Sequence, residues 1–159
     1  MKFEMTEKSF SRIAQVMDEG VHTDKKAQSS VGGDLGIDEF TQGYIEAAFW
    51  TEDESEELED LGFYDIAPEA LKSVSEECDK FQSDNSNLLS EYYAEREGET
   101  EGTPEANAGH DFWLTRNGHG VGFWDRGLSE YLGDALTEAA DAYGESYMYA
   151  GDDNKVYFD

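Results

Sequence analysis

The run Glu52-Asp53-Glu54-Ser55-Glu56-Glu57-Leu58-Glu59-Asp60 places seven carboxylates in nine residues. Like charges at that density repel one another in a helix and in a loop alike, so any fold has to leave this stretch exposed. The run is the densest part of a wider asymmetry. Residues 34–105 hold 23 acidic and three basic side chains, a net of −20, whereas residues 1–33 hold five of each. Residues 106–159 hold ten acids and three bases, which completes a formal charge of −27 over 159 residues. That length suits one domain. Only 38% of the chain is hydrophobic, yet 13% is aromatic. A chain without a core is poor in aromatics, so the expectation is a folded domain inside an acidic skin.

This charge excludes several classes. Binding nucleic acid directly requires Lys and Arg to neutralise phosphates, and a chain at −27 is repelled. An anionic membrane surface repels it for the same reason. No apolar run approaches the roughly 18–20 residues of a membrane-spanning helix. The N-terminal stretch MKFEMTEKSFSRIAQVMDEG lacks the apolar centre of a secretory leader. A single cysteine, Cys78, precludes an internal disulfide and a thiolate zinc cluster. The expected location is a cytosol, with no cofactor.

Periodicity predicts helices first and hairpins last. Phe10, Ile13, Ala14 and Met17 give helical spacing over 6–19, followed by a Ser- and Gly-rich connector over 22–36. A second helix is expected over 38–50, capped by Asp38, with Phe40, Tyr44, Ala47 and Ala48 on its apolar face. Ile66-Ala67-Pro68 opens the clearest helix, where Leu71, Val74, Cys78 and Phe81 form one stripe. Cys78 reads as a packing residue there. Residues 86–96 carry Leu88, Leu89, Tyr92 and Tyr93 on a further helix, and 97–108 reads as a polar loop with at most a short helical turn after Pro104.

In the last third, Phe112–Thr115 and Val121–Trp124 flank Asn117-Gly118, a hairpin signal. A helix is predicted over 128–143, ended by Gly144. Residues 146–150 and 156–158 then flank a second hairpin turn, Gly151-Asp152-Asp153-Asn154. The predicted fold is α+β: N-terminal helices packed on a small antiparallel sheet of two β-hairpins with an intervening helix. Residues 1–36 form an N-terminal helix and flexible connector, and 37–159 a single acidic α+β domain.

Chemistry-bearing motifs are scarce. Phosphate-binding, zinc-protease, nucleophile-elbow and EF-hand patterns are absent from the sequence. Gly118, Gly120 and Gly122 read as turn glycines, because a strand is expected where a phosphate-binding helix would start. Asp152-Asp153-Asn154 reads as an ordinary acidic turn. The segment 109–127 concentrates polar and aromatic handles: His110, Asp111, Trp113, Arg116, His119, Trp124, Asp125 and Arg126. In a structural reading Phe112, Leu114 and Phe123 face the core while Arg116 and Arg126 pair with Asp111 or Asp125. In a functional reading the hairpin is a binding tip, or His110 or His119 acts as a base beside Asp111 or Asp125.

The stretch GHDFWLTRNGHGVGFWDRG, followed by LGDALTEAADAYGE and YAGDDNKVY, resembles a family of small acidic, largely uncharacterised proteins encoded by phages and plasmids. TQGYIEAAFW at 41–50 and DIAPEALKSVSEECDKFQ at 65–82 resemble it too, so the likeness covers roughly 38–158. It implies a phage or mobile-element gene expressed in a bacterial cytoplasm. The chain departs from the family in two places. The acidic run 52–60 stands where the family carries a Gly/Pro-containing stretch, and residues 1–33 look like an addition.

Charge density then suggests a function. Duplex DNA carries one charge per about 1.7 Å, so 27 charges match about 46 Å of duplex. A compact chain of this length has a diameter near 40 Å. The expectation is a DNA mimic that acts as a non-enzymatic inhibitor. It would occupy the DNA-binding surface of a basic host protein: a restriction, CRISPR or repair enzyme. The candidate contacts are Glu52, Asp53, Glu54, Glu56, Glu57, Glu59 and Asp60, with Asp65, Glu69, Glu76 and Asp79 as a second row. General acidic solvation, joined to a binding or metal/hydrolytic site on 109–127, is the competing expectation. A uniform salt adaptation would spread the charge more evenly than the −20 middle does.

Overall fold

The computed structural model describes residues 33, 35–52, 55–99 and 101–159. The helix expected over 6–19 and most of the connector lie outside these residues. Five α-helices and one two-stranded antiparallel sheet make up the described part, an α+β arrangement: α1 Glu39–Thr51, α2 Pro68–Asp84, α3 Ser86–Arg96, α4 Pro104–Arg116, α5 Glu130–Asp141, β1 Met148–Ala150 and β2 Val156–Phe158.

Local chemistry accounts for most boundaries. The Asp38 carboxylate accepts the Thr41 N–H at 2.8 Å and caps α1. Pro68 occupies the first turn of α2, where its missing N–H has no intrahelical acceptor to lose. The buried stripe of α2 is Ala70, Val74, Cys78 and Phe81, with Leu71 partly buried beside it. Thr103 caps α4 by accepting the Ala106 N–H at 3.2 Å, and Pro104 follows. Between β1 and β2 the register pairs Met148 with Phe158, Tyr149 with Tyr157 and Ala150 with Val156.

The segment 109–127 differs from the expected hairpin. Phe112–Thr115 lie in the last turns of α4, and Phe123–Asp125 form a short 3-10 turn. The helix also runs through 104–108, where a polar loop was expected. Two physical reasons explain the difference. A helix buried on nearly all sides has no polar face, so its short apolar run looks the same as a buried strand. And Asn-Gly serves helix ends as well as hairpins. Asn117 caps α4 and Gly118 follows with φ +65°. The Gly118 N–H bonds Thr115 O at 3.2 Å and the His119 N–H bonds Leu114 O at 3.1 Å, closing a Schellman turn.

α4 runs through the centre of the core and lies closest to α1. The two backbones touch at paired glycines. A Cβ on Gly43 would strike the Ala106 carbonyl, and one on Gly109 would strike the Phe40 carbonyl. Helical glycine costs about 1 kcal/mol relative to alanine, offset here by close packing. Around this crossing Phe81 stacks on Phe112 with ring centroids 4.0 Å apart, and Tyr44 meets Trp113 edge to face at 5.2 Å. The sheet docks through Met148 and Val156, both buried. The Ala67 N–H donates to Val156 O at 3.0 Å and ties the entry to α2 onto β2.

Candidate functional site

The described part of the acidic run, Glu52 at the end of α1 and 55–60 beyond it, is held by consecutive turns. Main-chain bonds join Ser55 to Glu52, Leu58 to Ser55 and Leu61 to Leu58, each at 3.1 Å. Leu58, the run's single apolar residue, is buried in the core. Its burial pins the turn, while Glu56, Glu57, Glu59 and Asp60 around it are exposed. Glu52 is half-buried, and desolvation raises its carboxyl pKa above the ordinary value. Asp53 and Glu54 lie outside the described residues.

Of the second row, Glu69, Glu76 and Asp79 stand exposed on α2. Glu69 and Glu76 are two turns apart on one face, about 10 Å at 1.5 Å per residue. Lys72 approaches Glu76 at 3.9 Å and Lys80 approaches Asp84 at 2.8 Å, all well exposed. Such exposed, solvent-screened pairs add little to stability. Asp65 does not join this row. It is half-buried, and its carboxylate accepts the Gly62 N–H at 2.8 Å, closing the turn before α2.

The 109–127 residues point mostly inward. Asp111 is 1% exposed. Its Oδ1 accepts Arg126 Nε and Nη2 at 2.9 and 2.7 Å, and its Oδ2 accepts the Tyr92 hydroxyl at 2.7 Å. Burial and the neighbouring Asp111 charge hold the Tyr92 phenol far above its usual pKa. Burial opposes the charge on Arg126, but the hydrogen bonds and charge of Asp111 outweigh it. Arg116 is also buried. It donates to Gly144 O at 2.7 Å, to Tyr143 O at 3.2 Å, to the Tyr44 hydroxyl at 2.9 Å and to the Glu77 carboxylate. Trp113 donates its indole N–H to Thr51 Oγ1 at 2.8 Å.

The remaining members of the segment are scattered. His110 Nε2 lies 3.1 Å from Glu46 Oε2, at the α1–α4 crossing. His119 follows the end of α4 in the Schellman turn, half-buried, with its pKa lowered by burial. Trp124 and Asp125 are exposed. The two histidines therefore sit in separate environments. Among the described residues no group of three or more His, Cys, Asp and Glu is arranged to hold a metal ion, and no helix is long and apolar enough to cross a membrane.

This arrangement has an electrostatic consequence. The described bases are Lys72, Lys80, Arg96, Arg116, Arg126 and Lys155. Two of the three arginines are turned inward onto Glu77 and Asp111. The exposed surface is therefore left with even fewer cations than the composition implies. Sequence reasoning missed Glu77 and Glu46, and placed Tyr44 and Tyr92 on their helices without the hydroxyl bonds that complete these networks. Only the position of Glu77, next to buried Cys78 on α2, hinted at partial burial. It also missed the exposed tyrosines of the hairpin, whose signal was the alternation Tyr147-Met148-Tyr149. No protein-family model, no curated protein and no solved structure matches the chain.

Proposed function

We propose that the protein is a non-enzymatic inhibitor that mimics DNA and occupies the DNA-binding surface of a basic host protein, such as a restriction, CRISPR or DNA-repair enzyme. One observation supports this most. The fold buries Leu58 to order the acidic run and exposes Glu56, Glu57, Glu59 and Asp60, while Arg116 and Arg126 are directed inward. Pre-ordered carboxylates bind with a smaller entropic cost than a mobile acidic tail. Their field draws a basic groove over long range and speeds association. The resemblance of the 109–127 segment to phage- and plasmid-encoded proteins supplies a bacterial cytoplasm as the setting. A binding role on that segment itself would fall to Trp124 and Asp125, which stay exposed.

The test is competition. Purified host restriction, CRISPR and repair proteins, each loaded with a fluorescent DNA duplex, are titrated with the full chain at rising salt. Displacement of the duplex is expected from at least one of them. Contacts made by exposed carboxylates are screened by salt, so affinity is expected to fall steeply between about 50 and 200 mM salt. The quadruple variant Glu56→Gln, Glu57→Gln, Glu59→Gln, Asp60→Gln loses the competition. A complex that carries duplex and inhibitor together, or an affinity indifferent to salt, overturns the reading.

A further inference from the structure

The small sheet leaves one face and one edge uncovered. Along β1 and its lead-in, Met148 is buried, whereas Tyr147 and Tyr149 are 57% and 45% exposed. Tyr149 stands opposite Tyr157 on the outer face, their rings stacked at 5.8 Å and 22°. A shallow hollow of about 400 Å³ opens against this pair, lined also by Gly151, Asp152 and Asp153. The edge follows from the bonding pattern. Tyr147 and Asp159 exchange both main-chain bonds, at 3.3 and 2.8 Å. In an antiparallel pair such exchanges alternate, so Met148 and Ala150 turn their N–H and C=O groups away from β2. The far edge of β2 is occupied by Ala67, but among the described residues no strand pairs with β1 on its outer side.

Charge indicates what fits there. Tyr147 donates to Glu145 at 2.8 Å and Tyr157 to Asp153 at 2.6 Å. Asp152 and Asp159 flank the same face, and among the described residues Lys155 in the turn is its one base. Glu52 lies near enough to act on Tyr147, and Glu69 on Tyr157. We propose that this face binds an extended basic segment of a partner. The segment adds to β1 as a third strand and lays alternate Arg or Lys side chains over Tyr147, Tyr149 and Tyr157. The proposal rests on the reading of a basic partner and deepens it, naming a contact for that partner outside its DNA groove. A second copy of this chain is a poorer occupant, because it brings the same carboxylates to the same edge.

The full chain, isotopically labelled, is titrated with a synthetic peptide alternating arginine and valine, and with a counterpart carrying glutamate for arginine. The arginine peptide is expected to slow hydrogen exchange at the Met148 and Ala150 amides, and the glutamate peptide to leave them unchanged. Tyr149→Ser, at an exposed position, weakens the arginine peptide by about tenfold. Ala150→Pro removes an outward N–H and abolishes the edge protection. Equal binding of the two peptides, or undiminished binding by Tyr149→Ser, overturns the proposal. So does a concentration-dependent dimer that Ala150→Pro dissociates, which would assign the edge to a second copy. The two readings fail separately. Duplex competition with a silent hairpin overturns only the hairpin site, whereas hairpin binding without competition at any host protein overturns the mimicry.

Discussion

Arg126 closes on Asp111 through two hydrogen bonds to one carboxylate oxygen, 2.9 Å from Nε and 2.7 Å from Nη2. The carboxylate is buried, and its other oxygen is taken by Tyr92. The pair joins the loop after α4 to α4 itself, and Tyr92 brings in α3. Removing one member strands a buried charge, which costs about 3–5 kcal/mol. Arg126→Gln and Asp111→Ala are each expected to lose stability on that scale in urea unfolding. The double variant should lose much less than the sum of the two. Additive losses would mean that the residues act independently.

The glycines of the helix crossing separate packing from helix propensity. Gly133 in α5 has room for a methyl group, with its nearest neighbour, Phe123 O, at 3.4 Å. Gly133→Ala should therefore stabilise by up to about 1 kcal/mol. Gly109→Ala and Gly43→Ala make the same propensity gain but drive a methyl into backbone, and are expected to destabilise by about 1–3 kcal/mol or more. Thermal melts of the three variants read the opposite signs directly.

Leu58→Ala should cost about 2–5 kcal/mol, as for other buried leucines. It should also release the acidic turns, so that the Leu58 and Leu61 amides exchange faster than the helices do. Glu57→Gln, at an exposed position beside Leu58, should change stability by less than about 0.5 kcal/mol. Native-state hydrogen exchange on both variants distinguishes a pinned run from one that is merely solvated.

His119 makes stability depend on pH with a definite sign. Burial lowers its pKa below the ordinary 6.5. Between the folded value and 6.5 the unfolded chain therefore binds more protons than the folded one, so stability rises with pH and is lost as pH falls through that window. Glu52 acts oppositely from a lower starting point. Burial raises its carboxyl above 4.5, so its contribution falls as pH rises between 4.5 and the folded value. His119→Gln should flatten the first slope and Glu52→Gln the second, in unfolding free energies measured across pH 4–7. A His119→Gln profile parallel to that of the parent would exclude the imidazole as the source.

The elements that were legible carry their signals in neighbouring residues. Asp38 and Thr41, three apart, cap α1. Pro68 and the Val74–Cys78–Phe81 stripe define α2. Gly144, with φ +73°, follows α5, and the alternation about Asp152-Asp153 defines the hairpin of β1 and β2. The segment 109–127 reads as a hairpin in sequence because both of its signals, a short apolar run and Asn-Gly, serve two structures. Which one forms depends on α1, whose Gly43 and Phe40 lie against α4 more than sixty residues away in sequence.

The same division runs through the candidate site. That Glu56, Glu57, Glu59 and Asp60 face water follows from charge alone, since burying four clustered carboxylates together is prohibitively costly. That the run is held in place follows from Leu58 finding a pocket in the core, which no local pattern encodes. The sequence by itself determined an acidic α+β chain with its charge in the middle, because repulsion, capping and periodicity act between near neighbours. Only the tertiary structure decided that Arg116 would meet Glu77 and that Arg126 would meet Asp111, taking two of the few cations largely out of contact with solvent. Those pairings join residues brought together by helix packing, and burial decides which charges must be matched.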